Sequence, residues 1–368
     1  MTLTTESQRV LLYVGTYTRP APYLKTTNGQ GIYIYSLNLA SGELTPVSEM
    51  LNIDNPSYLT ISHNRRYLYA TSEVWLWQEG MITAYSIDAQ TGALTYINKQ
   101  PTLGSINAYA SVDHADHFVM VANYWDGESV VIFPLRADGG VLPASDSVFH
   151  EGKGANEARQ DKSHAHCILP DPTNTYVYSA DLGIDQIVCY RLDHNHGRLH
   201  RHDSLQLPDG TGPRHMVFHP NNKFAYVIGE LNSSITVLSV DSATGALAAL
   251  QSVPTLPAGV AHETSHCSDI QIHPSGKFVY GGNRGHDSLV IYAADSETGR
   301  LTYVGHQPTL GQTPRNFAID PTGTYMLVGN QDSDTIVIFR INQETGTLDP
   351  TGQVASVPTP VCLKLITL

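Results

Sequence analysis

Apolar residues along this chain come in short runs bounded by Gly, Asn, Asp, Ser and Pro, and they do not recur at helical spacing. Runs such as Ser234-Ile235-Thr236-Val237-Leu238 and Thr335-Ile336-Val337-Ile338-Phe339 are β-branched and predict strands. The runs are also periodic. A Gly-x-Leu marker ends one strand-turn-strand passage after another, at Gly42, Gly92, Gly140, Gly197, Gly245, Gly299 and Gly346, with a step of about fifty residues. A second marker keeps the same step: a strand, a His-Pro or Asp-Pro turn, and another strand, as at Asp171-Pro172, His219-Pro220, His273-Pro274 and Asp320-Pro321. Around His63 and His114 the proline is replaced, yet Tyr67-Leu68-Tyr69 and Phe118-Val119-Met120 follow in register.

Aligned on both markers, each unit reads as four strands, A to D. Such a unit cannot bury its apolar faces alone, so neighbours must stack. A seventh A-like segment, Thr359-Pro360-Val361-Cys362-Leu363, ends the chain without B, C or D, and the opening segment supplies those three from Val10 to Tyr17, Gly31 to Leu37 and Leu44 to Met50. The expectation is an all-β, seven-bladed propeller of four-stranded antiparallel blades. It is one domain over residues 1–368, closed by pairing of the N- and C-terminal strands so that no sheet edge stays free. The one long irregular stretch, Phe149 to Ser163, predicts a loop crossing a mouth of the ring as a lid.

Composition narrows the partners. Length alone admits more than one domain, but no linker or charge block breaks the register. A formal charge of −13 argues against nucleic acid and anionic membranes, and no apolar run approaches a bilayer span. The start Met1-Thr2-Leu3-Thr4-Thr5-Glu6 lacks the basic flank and apolar core of a signal peptide. Cys167, Cys189, Cys267 and Cys362 show no paired metal spacing and read as buried, reduced thiols. Together these predict a soluble, cytoplasmic protein, monomeric or a weak homodimer.

The repeat alignment also locates a basic patch. Strands A and B are antiparallel, so the start of A and the end of B share one end of a blade, and A is innermost. Six residues before the turn proline, strand A carries Ser57, Ala108, His166, Arg214, Ser268, Arg315 and, in the closing blade, Val361. The end of strand B carries Tyr17, Glu73, Tyr124, Leu182, Glu230, Arg284 and Gln331. His166, Arg214, Glu230, Arg284 and Arg315 thus fall on four consecutive blades. Any one of them is explained as a solvated loop charge or an ordinary ion pair. The set is not, because arginines facing a narrow axis are partly desolvated and need a carboxylate or an anionic guest. Three arginines against Glu230 and Glu73 leave cationic charge over, and an anionic small molecule is the expected partner.

At these residues the chain resembles a known family. Gly212-Pro213-Arg214-His215-Met216-Val217-Phe218-His219-Pro220, continued by Ala225 to Ser234, is similar to the bacterial 6-phosphogluconolactonases of seven-bladed propeller type, whose superfamily includes fungal carboxymuconate-lactonizing enzymes. Arg159-Gln160 followed by His164-Ala165-His166, the Asp181-Leu182-Gly183-Ile184-Asp185 loop and the opening Tyr13-Val14-Gly15-Thr16-Tyr17 carry the same likeness. The resemblance spans the chain and implies hydrolysis of an anionic sugar lactone, 6-phosphogluconolactone first, in the pentose phosphate pathway. It places the family's proposed active-site histidine, arginines and glutamate on His166, Arg214, Glu230 and Arg284, the last by the loosest match. Ser163 stands where a proline usually precedes the first histidine of the pair.

Lactone hydrolysis needs a base for water, donors for the oxyanion and an acid for the departing ring oxygen. Glu230 or His166 can be the base, and the residue types do not choose between them. Arg214 suits the oxyanion or a substrate carboxylate, while Arg284 and Arg315 suit a distal phosphate or carboxylate. His164, Glu73, Tyr17 and His266 complete the expected substrate-binding set. No cofactor is expected. A divalent metal, used by sugar lactonases on a different propeller, would need His164 and His166 as ligands on one face, and no carboxylate partners stand at adjacent positions. His262-Glu263-Thr264-Ser265-His266 spells the zinc-protease pattern, but the prolines before it and the strand after it deny the helix that chemistry requires. Two other readings remain: a lactonase for an aldarate or muconate-type lactone, and a non-catalytic propeller whose Trp75-Leu76-Trp77 loop meets a protein partner.

Overall fold

A computed structural model describes residues 9–368; the Met1–Glu6 expectation lies outside the described residues. Seven four-stranded antiparallel sheets surround an axis. Blade 1 is built from both termini: Pro360–Thr367 is its first strand and pairs with Val10–Thr16, followed by Gly31–Leu37 and Leu44–Leu51. Blades 2 to 7 begin at Leu59–Ile61, Asn107–Val112, Ala165–Pro170, Pro213–Phe218, His266–Ile272 and Pro314–Ile319. These first strands pack side by side around the axis without a break, so the ring closes as the repeat requires. Among the described residues the only helices are two short 3-10 turns, His262–Thr264 and Gln331–Ser333, and none is long and apolar enough to cross a membrane.

The markers have physical causes. At Gly245, Gly299 and Gly346 the backbone turns with φ of 72, 70 and 74°, and a Cβ there would stand 2.5, 2.5 and 2.4 Å from Tyr176, Phe224 and Phe278 of the preceding blade. The carbonyls of the same glycines accept from Tyr178, Tyr226 and Tyr280 at 2.7, 3.1 and 2.9 Å, latching each blade to the next. The marker is therefore a seat for the neighbouring blade. Blade 3 departs from it: Gly139, not Gly140, takes the positive φ of 79°, and the outer strand is reduced to Asp146–Val148. The turn histidines are latches too, His219 Nε2 lying 3.1 Å from the Gly276 carbonyl and His273 Nε2 2.9 Å from that of Gly323.

Candidate active site

Six of the seven innermost strands carry an irregularity at the same place. Strand pairing skips Val361, Ala108, His166, Arg214 with His215, Ser268 with Asp269, and Arg315. A β-bulge re-aims the skipped side chain, and here the bulges deliver His166, Arg214 and Arg315 to the wall of one axial cavity of about 510 Å³. Glu230 follows strand Phe224–Gly229, and Arg284 ends strand Phe278–Arg284, so the second strands supply the remaining charges from the same mouth. Glu73, His164 and His266 also line the cavity.

Glu230 is the electrostatic centre. Its Oε1 accepts from Arg159 Nη2 at 2.6 Å; its Oε2 accepts from Arg214 Nε at 2.9 Å and lies 3.0 Å from Arg284 Nη2. Burial alone would raise its pKa, but the charges of Arg284, Arg159 and Arg214 outweigh burial and hold the carboxyl well below the usual range. Arg214 is gripped from behind as well. Its Nη1 donates to the Ser268 carbonyl and, at 3.1 Å, to His215 Nε2. His215 Nδ1 in turn donates to Asp269 Oδ1 at 2.8 Å, and Asp269 Oδ2 accepts from Asn316 at 2.6 Å. Burial, then the charge of Arg284, brings the Arg214 pKa down to about 10, which leaves it cationic at neutral pH.

His166 is buried on the same wall, and its Nδ1 has no hydrogen-bond partner. Burial first, then the charges of Arg214 and His215, holds its pKa well below the ordinary imidazole value. It is a neutral ring whose Nδ1 is sealed from solvent, so it can meet the cavity only through Nε2. His164 differs: its Nδ1 lies 2.7 Å from the Tyr124 carbonyl and its Nε2 3.0 Å from Asp161 Oδ1, so both nitrogens face oxygens already. Among the described residues no three His, Cys, Asp or Glu side chains are grouped to hold a metal ion. The 3-10 turn at His262–Thr264 and the strand from His266 leave the zinc-protease pattern without its helix.

Arg315 is the least engaged cation. It lies 3.8 Å from Glu73 Oε1 and over the Tyr17 ring at 5.1 Å. Tyr17 itself is fully buried and lies outside the cavity wall; it donates to Glu73 at 2.7 Å and so acts one layer behind the substrate space, where it was expected to touch substrate.

Sequence reasoning missed part of the wall. Arg159 comes from the Phe149 to Ser163 loop, which lies outside the repeat and so escapes alignment on it, although Arg159-Gln160 belongs to the family resemblance. Tyr124, placed at the mouth by the register, donates no charge and drew no role; it meets His166 edge-on and stacks on His164. Tyr23, Trp75 and Trp125 also line the cavity. The loop is anchored by a buried carboxylate: Asp181 Oδ2 accepts from Ser163 at 2.6 Å and pairs with His150 Nδ1 at 2.7 Å, and its Oδ1 accepts from the His164 and Gly183 amides at 2.7 and 3.0 Å. Ser163 thus holds by its hydroxyl the position ahead of the first histidine.

Four guanidiniums, two buried carboxylates and a neutral imidazole on one axial cavity make a cation-rich pocket of small-molecule size at the centre of a propeller. Residues 11–365 match the family described as lactonase, 7-bladed beta-propeller, and the chain belongs to that family, whose chemistry is the hydrolysis of a cyclic ester. It is 34% identical to the 6-phosphogluconolactonase of Bacillus subtilis (strain 168) over 354 residues, 96% of this chain and 97% of that one. The 6-phosphogluconolactonase of Formosa agariphila is 36% identical over 315 residues, 84% of this chain and 86% of that protein. Among solved structures, a protein from Bacteroides fragilis covers 100% of both chains at TM-score 0.90 and 34% identity. The periplasmic gluconolactonase of Pseudomonas aeruginosa covers 98% of this chain and 99% of that one at TM-score 0.88 and 30% identity.

Proposed function

We propose that the axial cavity hydrolyses 6-phosphogluconolactone to 6-phosphogluconate, the oxidative pentose phosphate step, with His166 as general base. The observation that carries this reading is the triple engagement of Glu230. A carboxylate between Arg159, Arg214 and Arg284 is a poor proton acceptor, whereas His166 on the same wall is neutral and, with Nδ1 sealed from solvent, meets the cavity through Nε2. Glu230 is then the counter-ion that orients the arginines.

In the reaction, His166 takes a proton from water as the water oxygen bonds to the lactone carbonyl carbon. Arg214 and Arg284 stabilise the resulting oxyanion; both are fixed before substrate arrives, so no reorganisation is needed as charge develops. Collapse breaks the bond to the ring oxygen, which takes the proton back from His166. The product is a carboxylate and an alcohol, and the carboxylic proton leaves to solvent. Arg315, with only a distant contact to Glu73, holds the phosphate. His164 and His266 border the sugar, and Glu73, held by Tyr17 and Tyr23, fixes Arg315. No metal or cofactor enters this scheme.

The whole chain acts as one domain, monomeric or weakly dimeric. Four free, buried cysteines support a cytoplasmic site of action. An aldarate or muconate lactone fits the same cations and is the nearest second substrate. Loss of lactone opening in His166→Ala and Arg214→Ala, with the fold intact by circular dichroism, supports the proposal. Retention of full turnover in either variant refutes it.

A further inference from the structure

The chain has three tryptophans, Trp75, Trp77 and Trp125, and all three gather on one side of the active-site mouth. Trp75 and Trp125 form part of the axial cavity wall, their ring centroids 6.1 Å apart. Beyond them lies a second concavity of about 190 Å³, lined by Leu76, Trp77, Gln78, Ser105 and Asp126, which shares Trp75, Ile106 and Trp125 with the first. The two spaces therefore adjoin across an aromatic sill.

Leu76, Trp77 and Gln78 lie outside the cavity of the lactone chemistry. The turn that presents the tryptophans puts Leu76 at φ 72°, a left-handed conformation unfavourable for a branched residue, and leaves its side chain 85% exposed. Strain retained together with exposed apolar surface marks a binding element. The chemistry of the lining names the occupant. The Trp75 and Trp77 rings suit the C–H faces of a pyranose, whereas the Trp125 ring carries Lys162 Nζ at 4.4 Å; Gln78, Ser105 and the Asp126–Lys162 pair stand beside them as partners for hydroxyls. Asp126 and Lys162 pair with each other, so this side has no surplus cation for a second anionic group and a neutral ring is suited.

We infer that the concavity over Trp75, Trp77 and Trp125 is a glycosyl subsite, so that the enzyme also opens lactones of glycosylated sugar acids, with the lactone ring at the arginines and a neutral sugar ring on the tryptophans. This rests on the proposed placement of the lactone in the axial cavity.

Because all tryptophan emission comes from these three rings, binding can be read without turnover. Lactobionate, a galactosyl-gluconate, and gluconate are titrated into the wild-type protein and into Trp77→Ala and Gln78→Ala, whose side chains lie outside the axial cavity. Lactobionate is expected to change the emission and to bind at least tenfold more tightly than gluconate, with each variant losing most of that advantage while its gluconate affinity changes less than twofold. Equal affinities for the two acids, or an advantage untouched by both substitutions, overturns the subsite and leaves the Leu76 turn as a contact for a protein. Failure to open sugar lactones while the lactobionate advantage persists would instead sink the proposed reaction alone.

Discussion

Arg159 Nη2 sits 2.6 Å from Glu230 Oε1, joining a loop outside the propeller repeat to the carboxylate at its centre. The contact brings the Phe149 to Ser163 segment to the wall of the candidate active site. Arg159→Ala removes one of three cations from Glu230 without opening the core, since that side chain is 34% exposed. Its expected effect is a loss of about tenfold in kcat/KM, less than the ~10²–10³ of a donor to the oxyanion itself because Arg159 acts through Glu230, with the urea midpoint unchanged. Steady-state kinetics beside a denaturation curve check both halves.

The division of labour between His166 and Glu230 is open to direct test. His166→Ala should lower kcat by about 10²–10⁴ with little change in KM, as for loss of a general base. Glu230→Gln should act mainly on the fold and on substrate affinity. It leaves three arginines facing a neutral amide, and breaking a buried ion pair from one side costs about 3–5 kcal/mol. The pH profile adds a signature. The depressed pKa of His166 places the acid limb of kcat/KM below the ordinary imidazole range, so activity should stay flat from neutral pH down through 6.5. An acid limb centred at 6.5 or above would contradict the assignment.

Acid should also weaken the fold, and the sign follows from the same groups. His215, whose pKa burial and then Arg214 lower from 6.5 to about 4, is protonated in the unfolded chain before it is protonated in the folded one. Between those values the unfolded state binds more protons, so stability is complete above 6.5 and falls as pH drops. From pH 7 to 5 His215 alone accounts for about 2 kcal/mol, and His166 shifts in the same direction. The depressed carboxyls of Asp181, Asp269 and Glu230 extend the loss to lower pH. Urea unfolding at pH 7 and pH 5 should show the difference, and His215→Asn, which keeps a polar side chain without titrating, should flatten it.

Asp181 predicts a different phenotype. Buried and bonded to both ends of the Arg159 loop, it holds that segment against blade 4. Asp181→Ala should cost about 3 kcal/mol and expose the loop to limited proteolysis between residues 151 and 162. Cleavage elsewhere, or none, would mean that the loop is secured by other contacts.

The fold was legible because a propeller writes its packing into the period. Gly245 and Gly299 are fixed by the aromatic ring of the blade before, so the marker survives wherever that contact does. His166, Arg214 and Arg315 were legible for a related reason: bulges recur at one register position, and reading that position around the ring picks out what lines the axis. Arg159 was not, because its loop has no counterpart in other blades. Tyr17 was misjudged because register gives the end of a strand but not the depth of its side chain. The role of Glu230 needed distances, since a carboxylate that acts as base and one held by arginines read alike in sequence.

The most direct test of the central claim is the ratio of kcat/KM for 6-phosphogluconolactone to that for unphosphorylated glucono-δ-lactone, corrected for spontaneous opening and run with and without chelator. Surplus guanidinium charge around one cavity predicts a preference of at least about a hundredfold for the phosphorylated lactone, unchanged by chelator and largely lost in Arg315→Ala. Equal rates on the two lactones, or activity abolished by chelator, would contradict the account.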